Sequence, residues 1–221
     1  CVRKGERGQL HNPAFTMLEW YRVGADYLGI IEDTERLMVA VAGDLGLGSR
    51  IHYQSQEIDL SRPWPRTTVS KAFRKSAGWD PILRPDEERF DLDLVDKVMP
   101  DFAPDRPTVL LEYPAANASM ARLKPGDPKV AERAEVFIAG LELANAYTEL
   151  TDAAEMEKRF REVIGETGDS EGHRPMPSRF LEAMAEMPAC GGIALGVDRL
   201  VMLLCDAAAI DEVLAFPREL A

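Results

Sequence analysis

The run A-E-V-F-I-A-G-L-E-L-A-N-A-Y-T-E-L, Ala134 to Leu150, decides the fold. Its apolar content reads as one or two strands, and it ends where a helix begins. Asp152 can cap that helix, Glu155 three residues on completes a capping box, and the helix is expected to run to about Ile164. Upstream, T-V-L-L-E-Y-P (Thr108 to Pro114) is a strand stopped by proline, followed by A-A-N-A-S-M-A-R-L. Downstream, a polar Gly/Pro loop (165–177) and a helix near 178–187 lead to G-G-I-A-L-G-V-D-R-L, Gly191 to Leu200. That stretch reads as a glycine-rich strand passing into a final helix from about Val197. Near the start, residues 13–22 alternate as a strand, and from about Asp26 to Val41 the apolar spacing is helical until G-D-L-G-L-G-S ends it. Residues 55–105, with many prolines and charges and short helical stretches such as T-V-S-K-A-F-R, read as a peripheral insertion. Hairpin-like or long connections replace the regular strand and helix alternation of a doubly wound fold. The class is α+β, an antiparallel sheet flanked by helices.

The chain has 221 residues, 46% hydrophobic and 29% charged, enough for one sizeable globular domain. No apolar run approaches the ~18–20 residues that span a bilayer, and no leader pattern is visible, so no membrane partner and a cytoplasmic location are expected. Cys1, Cys190 and Cys205 are odd in number and lack metal-ligand spacing, which points to reduced thiols. A net charge of -12 argues against a nucleic-acid backbone as partner. The opening C-V-R-K-G-E-R-G lacks an initiator methionine, and a missing N-terminal part is expected.

Several residue patterns bear on chemistry. Gly192, Ala194 and Gly196 share one strand face, nearly bare, which makes poor core but a good ligand floor; the alanine is the exception to explain. Phe15, Met17, Glu19 and Tyr21 share another face, whose mixture of aromatic, acid and phenol suits a cleft wall. Glu142 and Glu149 are seven apart and would point opposite ways in a straight strand. A turn or bulge near Asn145–Ala146 would bring both into one cleft, where they could hold Mg²⁺ against phosphates; otherwise they are solvated acids. Arg199 stands at a strand-to-helix junction suited to phosphate, or else pairs with Asp198 or Glu182. Arg3 and Arg7 lie in a loop, and His11 is either a phosphate or base contact or inert. No nucleophile constellation stands out, and the glycines match neither a dinucleotide fingerprint nor a P-loop.

Three stretches in order, H-N-P-A-F-T-M-L-E-W-Y, G-L-E-L-A-N-A-Y-T-E-L-T-D and G-G-I-A-L-G-V-D-R-L-V-M-L-L, resemble the catalytic core of class II lysyl-tRNA synthetases. They are more similar to the truncated branch of that family, which attaches (R)-β-lysine to a lysine of elongation factor P. The resemblance runs from Arg3 to about Pro217 and implies ATP and Mg²⁺ as cofactors, lysine or β-lysine as substrate, elongation factor P rather than tRNA as acceptor, and a homodimer. It implies ATP contacts from Arg3, Gly5, Asn12, Phe15, Glu142, Leu143, Gly196 and Arg199, with Arg3 and Arg199 clamping phosphate and Phe15 stacking on adenine. It implies amino-acid contacts from Glu19, Tyr21, Glu149 and Ala194, and Mg²⁺ contacts from Glu142 and Glu149. Lysyl-tRNA synthetases usually carry glycine where Ala194 stands, whereas the truncated branch carries alanine. Gly5 replaces a usual glutamate, with Glu6 adjacent; Ala14 replaces the glutamate of H-N-P-E-F, and Ala146 the glycine of A-N-G. The family's dimer-building motif 1 would lie before Cys1.

Overall fold

A computed structural model describes residues 1–3, 5, 8–166 and 175–216. The decisive run divides into two strands, β7 (Asp127–Ile138) and β8 (Leu141–Thr148), joined by a tight turn. Ala139 and Gly140 both take positive φ, +49° and +79°, the geometry that lets a two-residue hairpin follow the strand twist. Among the described residues β1 (Met17–Val23), β4 (Arg66–Thr68), β5 (Thr108–Pro114), β6 (Leu123–Lys124) and β9 (Cys190–Gly196) complete a seven-stranded sheet. Its order is β1-β9-β8-β7-β5-β4, with β6 also on β7. Every pairing is antiparallel except β4 with β5.

One face of the sheet carries the main core. Ala134, Val136, Ile138, Ala144, Ala146, Ile193 and Leu195 meet Ile30, Ile31 and Met38 of helix α1 (Tyr27–Asp44), whose N-terminus Asp26 caps by accepting from Gly29 N–H at 2.9 Å. Strands β2 (Arg50–Tyr53) and β3 (Gln56–Asp59) form a hairpin that adds Ile51, Tyr53 and Ile58 to this core. Asp152 caps α4 (Ala153–Glu166) through the N–H groups of Ala154 and Glu155. Glu155 itself pairs with Arg159 at 3.1 Å. Helices α5 (Ser178–Met184) and α6 (Val197–Cys205) fall where the sequence places them. Most of the polar 165–177 loop lies outside the described residues.

Residues 55–105 are less peripheral than their composition suggests. Ile58, Leu60 and Trp64 are fully buried in the main core, and β4 extends the sheet. Helices α2 (Val69–Ser76) and α3 (Glu87–Asp93) build a second core against the opposite face, where Phe73 and Phe90 stack 4.7 Å apart and pack with Leu110, Tyr113 and Phe137. That core covers only the β5 and β7 end. Among the described residues, the cleft over β8, β9 and β1 holds the candidate site.

Candidate active site

Register builds the floor of the cleft. In β8 the pairing with β7 slips between Val136 and Phe137, so that Val136 faces Ala144 while Phe137 faces Glu142, leaving Leu143 as an extra residue. The extra residue lets the odd spacing between Glu142 and Glu149 act as an even one. Leu143, Ala144 and Ala146 turn to the core, while Glu142, Asn145, Tyr147 and Glu149 all belong to the cleft face. Convergence of the two glutamates on one face is therefore met, but by a bulge at Leu143 rather than near Asn145–Ala146. Two cross-strand rows follow. Glu19, Ala194, Asn145 and Glu135 form one, and Tyr21, Gly192, Tyr147 and Arg133 form the next.

At one end of this floor is a cavity of about 230 Å³ lined by Arg3, Asn12, Phe15, Glu142, Leu143, Ala194, Gly196 and Arg199, among others. Arg199 is held from two sides. Its Nη1 donates to the Glu142 carbonyl at 2.6 Å and lies 3.6 Å from the Glu142 carboxylate; its Nη2 is 2.9 Å from His11 Nε2. A guanidinium only donates, so His11 accepts through an unprotonated Nε2. Asp198 does not take up Arg199, because it accepts the Thr16 N–H at 2.8 Å and so ties the start of α6 to β1. Arg3 sits over the Phe15 ring, 5.3 Å from its centroid. The cavity thus joins an aromatic face to two guanidinium groups, a combination that fits a purine and its phosphates. Gly5 does not line it; its φ of +85° is a left-handed conformation that disfavours the glutamate usual there. Glu6 and Arg7 lie outside the described residues.

The other end of the floor is acidic. An ideal Cβ at Gly192 would fall 2.2 Å from Glu149 Oε1 and 2.7 Å from the Tyr21 ring, so these two side chains lie directly over the bare strand. Glu19 is in the adjacent row. Burial pushes the Glu149 carboxyl up from its ordinary 4.5 to about 7, with no compensating cation among the described residues. Burial, then the charges of Glu149 and Glu19, raise Tyr21 as well. A cationic ligand group would offset both effects.

The Glu149 shift has a consequence for stability. A carboxyl raised in the folded state favours folding below its unfolded value and loses that contribution as pH rises through the folded value. Above pH ~7 the folded protein therefore carries an uncompensated charge, discounted for residual solvent to about 1–2 kcal/mol. We expect Glu149→Gln to raise the thermal midpoint by roughly 3–6 °C at pH 8. The difference should shrink as pH falls from about 7 and vanish below about 4.5, and calorimetry at pH 8 and pH 4 checks it.

Glu142 and Glu149 share a face but not an ion. Seven steps of extended strand separate them by about 20 Å, against a Mg²⁺–oxygen distance of about 2 Å. The expected Mg²⁺ pair is corrected on that ground: only Glu142 opens on the phosphate-sized cavity. Among the described residues no three His, Cys, Asp or Glu side chains could cage a metal. One carboxylate completed by phosphate oxygens remains compatible with Mg²⁺, which retains waters and takes few protein ligands.

Sequence reasoning missed Asn145 and Tyr147, which flank Ala194 and Gly192 on this floor. Their alternation with Glu149 was the available signal. Arg133, Glu135 and Tyr113, below and beside them, had no such signal.

An antiparallel sheet whose bare strand runs into a helix bearing a cavity-lining arginine fits a class II synthetase-type domain. The chain matches the family of tRNA synthetases class II (D, K and N) over residues 1–220 and belongs to it. It is 37% identical over 231 residues to the lysine–tRNA ligase of Pelotomaculum thermopropionicum, covering 94% of this chain and 46% of that protein. It is 35% identical over 230 residues to the elongation factor P–(R)-beta-lysine ligase of Vibrio parahaemolyticus, covering 98% of this chain and 69% of that protein. The Vibrio cholerae ligase of the same name matches at 35%, with the same coverage. The chain spans about half the length of the lysine–tRNA ligases it matches. No helix among the described residues is long and apolar enough to cross a membrane.

Proposed function

We propose that this domain activates a diamino acid of the lysine type as its adenylate and passes it to an amine of elongation factor P, with (R)-β-lysine as the preferred substrate. The observation that carries the reading is Ala194, whose methyl stands between Glu19 and Asn145 where lysyl-tRNA synthetases usually carry glycine. A methyl there removes room beside the substrate's backbone end and favours an amino group displaced by one carbon; one such group shifts preference by roughly 1–3 kcal/mol. Gly191 and Gly192 have no such latitude, since a Cβ would meet Asp26 O at 2.7 Å in the first case and Glu149 in the second.

ATP would lie in the 230 Å³ cavity with its base against Phe15 and its phosphates between Arg3 and Arg199. Gly196 and Leu143 form its floor beside Asn12, and Gly5 stands in the adjoining loop. Mg²⁺ bound by Glu142 and phosphate oxygens would supply charge neutralisation. The substrate's ammonium groups would be read by Glu19, Tyr21 and Glu149, with Asn145 at the centre of the row. The substrate carboxylate oxygen attacks the α-phosphorus, the bond to the β-phosphate oxygen breaks, and pyrophosphate leaves. An acceptor amine then attacks the activated carbonyl carbon, and AMP leaves with the bonding pair. No protein nucleophile is required; positioning and the guanidinium charges supply the catalysis. The same reading includes a cytoplasmic homodimer.

The comparable identity to lysine–tRNA ligases favours one rival, the α-lysine-activating core of a tRNA synthetase. Substituting Ala194→Gly separates the two. The ligase reading expects relative preference to move toward α-lysine by ~10-fold or more, and the unsubstituted protein to label elongation factor P but not lysine tRNA. Charging of tRNA with α-lysine, and no change of preference on substitution, would favour the synthetase.

A further inference from the structure

The chemistry proposed for ATP needs Arg3, Phe15 and Arg199 at a fixed spacing, yet they come from separate segments. Two of them are registered by backbone bonds: the Arg3 N–H donates to the Pro13 carbonyl at 2.8 Å and the Phe15 N–H to the Cys1 carbonyl at 3.0 Å. Arg199 is 184 residues further along than Phe15, on α6, and its registration against them passes through the residue before it. The helix begins at Gly196, which has no side chain to cap the first turn. The first turn turns to Thr16 instead. Val197 N–H donates to the Thr16 carbonyl at 3.0 Å, and the Asp198 carboxylate accepts the Thr16 N–H at 2.8 Å.

Thr16 is thereby gripped at both of its backbone groups. The Phe15 ring is one residue before it, and the Arg199 guanidinium is one residue after Asp198. The two bonds therefore set the span from the aromatic wall to the phosphate clamp of the cavity that Phe15, Thr16, Asp198 and Arg199 all line. Only one of the bonds depends on a side chain. Any residue but proline at position 197 supplies the first, whereas the second needs an acceptor at position 198 with the reach of a carboxylate or an amide. The charge of Asp198 itself opposes phosphates in the cavity it lines. Loss of the charge and loss of the bond thus act on ATP in opposite directions.

We propose that Asp198 is a positioning residue for ATP: through the Thr16 N–H it fixes the span between the Phe15 ring and the Arg199 guanidinium. The proposal rests on the reading of the cavity as a nucleotide site, and its test separates the two. A fixed span matters only to a ligand that engages both ends. In Asp198→Ala the Kd for ATP should rise ~10-fold, while that for adenosine, which reaches the Phe15 end alone, changes less than 2-fold. Asp198→Asn removes the charge but keeps an acceptor of the same reach, and should hold the ATP Kd within ~3-fold of the unsubstituted protein. Asp198→Ser, whose hydroxyl falls short of Thr16, serves if Asp198→Ala does not fold. The ¹⁵N spectrum of the ligand-free, threonine-labelled protein supplies a readout independent of ATP. The Thr16 amide signal, assigned by its loss in Thr16→Ser, should move upfield in Asp198→Ala and move less in Asp198→Asn. An ATP Kd unchanged or lowered in Asp198→Ala, an adenosine Kd that rises in step, an equal loss in Asp198→Asn, or an unmoved Thr16 signal would overturn the proposal. Failure of the unsubstituted protein to bind ATP, with the Thr16 signal shifted as expected, would instead overturn the nucleotide reading of the cavity and the ATP role of Asp198 with it.

Discussion

Gly192→Ala is expected to abolish measurable use of the amino acid, raising its KM at least ~100-fold, while the protein still folds and still binds ATP. The added Cβ would lie 2.2 Å from Glu149 Oε1 and 2.7–2.8 Å from Tyr21 ring carbons, well inside contact distance. Both are side chains, so both can swing away, and the backbone at Gly192 needs no left-handed conformation. The strain therefore falls on the Glu149 and Tyr21 side chains, proposed to read the substrate's ammonium groups, rather than on the fold. The neighbouring glycines act as controls. At Gly191 the new atom would meet Ile30 Cγ1 at 2.6 Å and the Asp26 carbonyl at 2.7 Å, so Gly191→Ala should lower stability by about 1–3 kcal/mol through displacement of α1. At Gly196 the nearest atoms are 3.8 Å away, so Gly196→Ala should be close to neutral for folding. Thermal melts and KM values for both substrates on the three variants check the pattern.

The second large effect is expected at Arg199. Its side chain is only 20% exposed and its guanidinium is oriented by the Glu142 carbonyl and His11 before any ligand arrives. In the proposed role of Arg199 at the phosphates, a preorganised cation is worth about 10²–10³ in rate when a single donor is removed. Arg199→Ala should therefore lower pyrophosphate exchange by ~10³ with amino-acid affinity unchanged. Arg199→Lys should recover little of the loss, because an ammonium cannot hold the Glu142 carbonyl and a phosphate in one planar fork. Single-turnover adenylate formation alongside amino-acid binding measures the two separately.

Much of this site was legible in the sequence because strand parity is a strict rule. Phe15, Met17, Glu19 and Tyr21, and the Gly192, Ala194, Gly196 face, follow from alternation alone, and β1 and β9 pair Met17, Glu19 and Tyr21 with Gly196, Ala194 and Gly192. Parity also explains the main error. Glu142 and Glu149 needed an irregularity to share a face, and nothing in A-N-A marks where it falls; the bulge sits one turn of the pleat earlier, at Leu143. Their shared face then suggested a shared ion, but residue spacing along an extended strand is length as well as direction, and about 20 Å rules that out. Composition misled for residues 55–105, whose prolines and charges hide Ile58, Leu60 and Trp64 in the main core. The link from Asp198 to Thr16 was beyond reach, since it joins residues 182 apart in sequence that only the fold brings together.

Ala194 occupies the same floor as these glycines yet tolerates a side chain, since it lines the open cavity between Glu19 and Asn145. That single methyl is where the domain's substrate choice is expected to reside. The most direct test is amino-acid-dependent ATP–pyrophosphate exchange by the purified protein, comparing (R)-β-lysine with α-lysine at equal concentration. The account predicts exchange with both amino acids absent from an Arg199→Ala control, and a kcat/KM at least ~10-fold higher for (R)-β-lysine. Exchange that favours α-lysine, or none with either diamino acid, would contradict it.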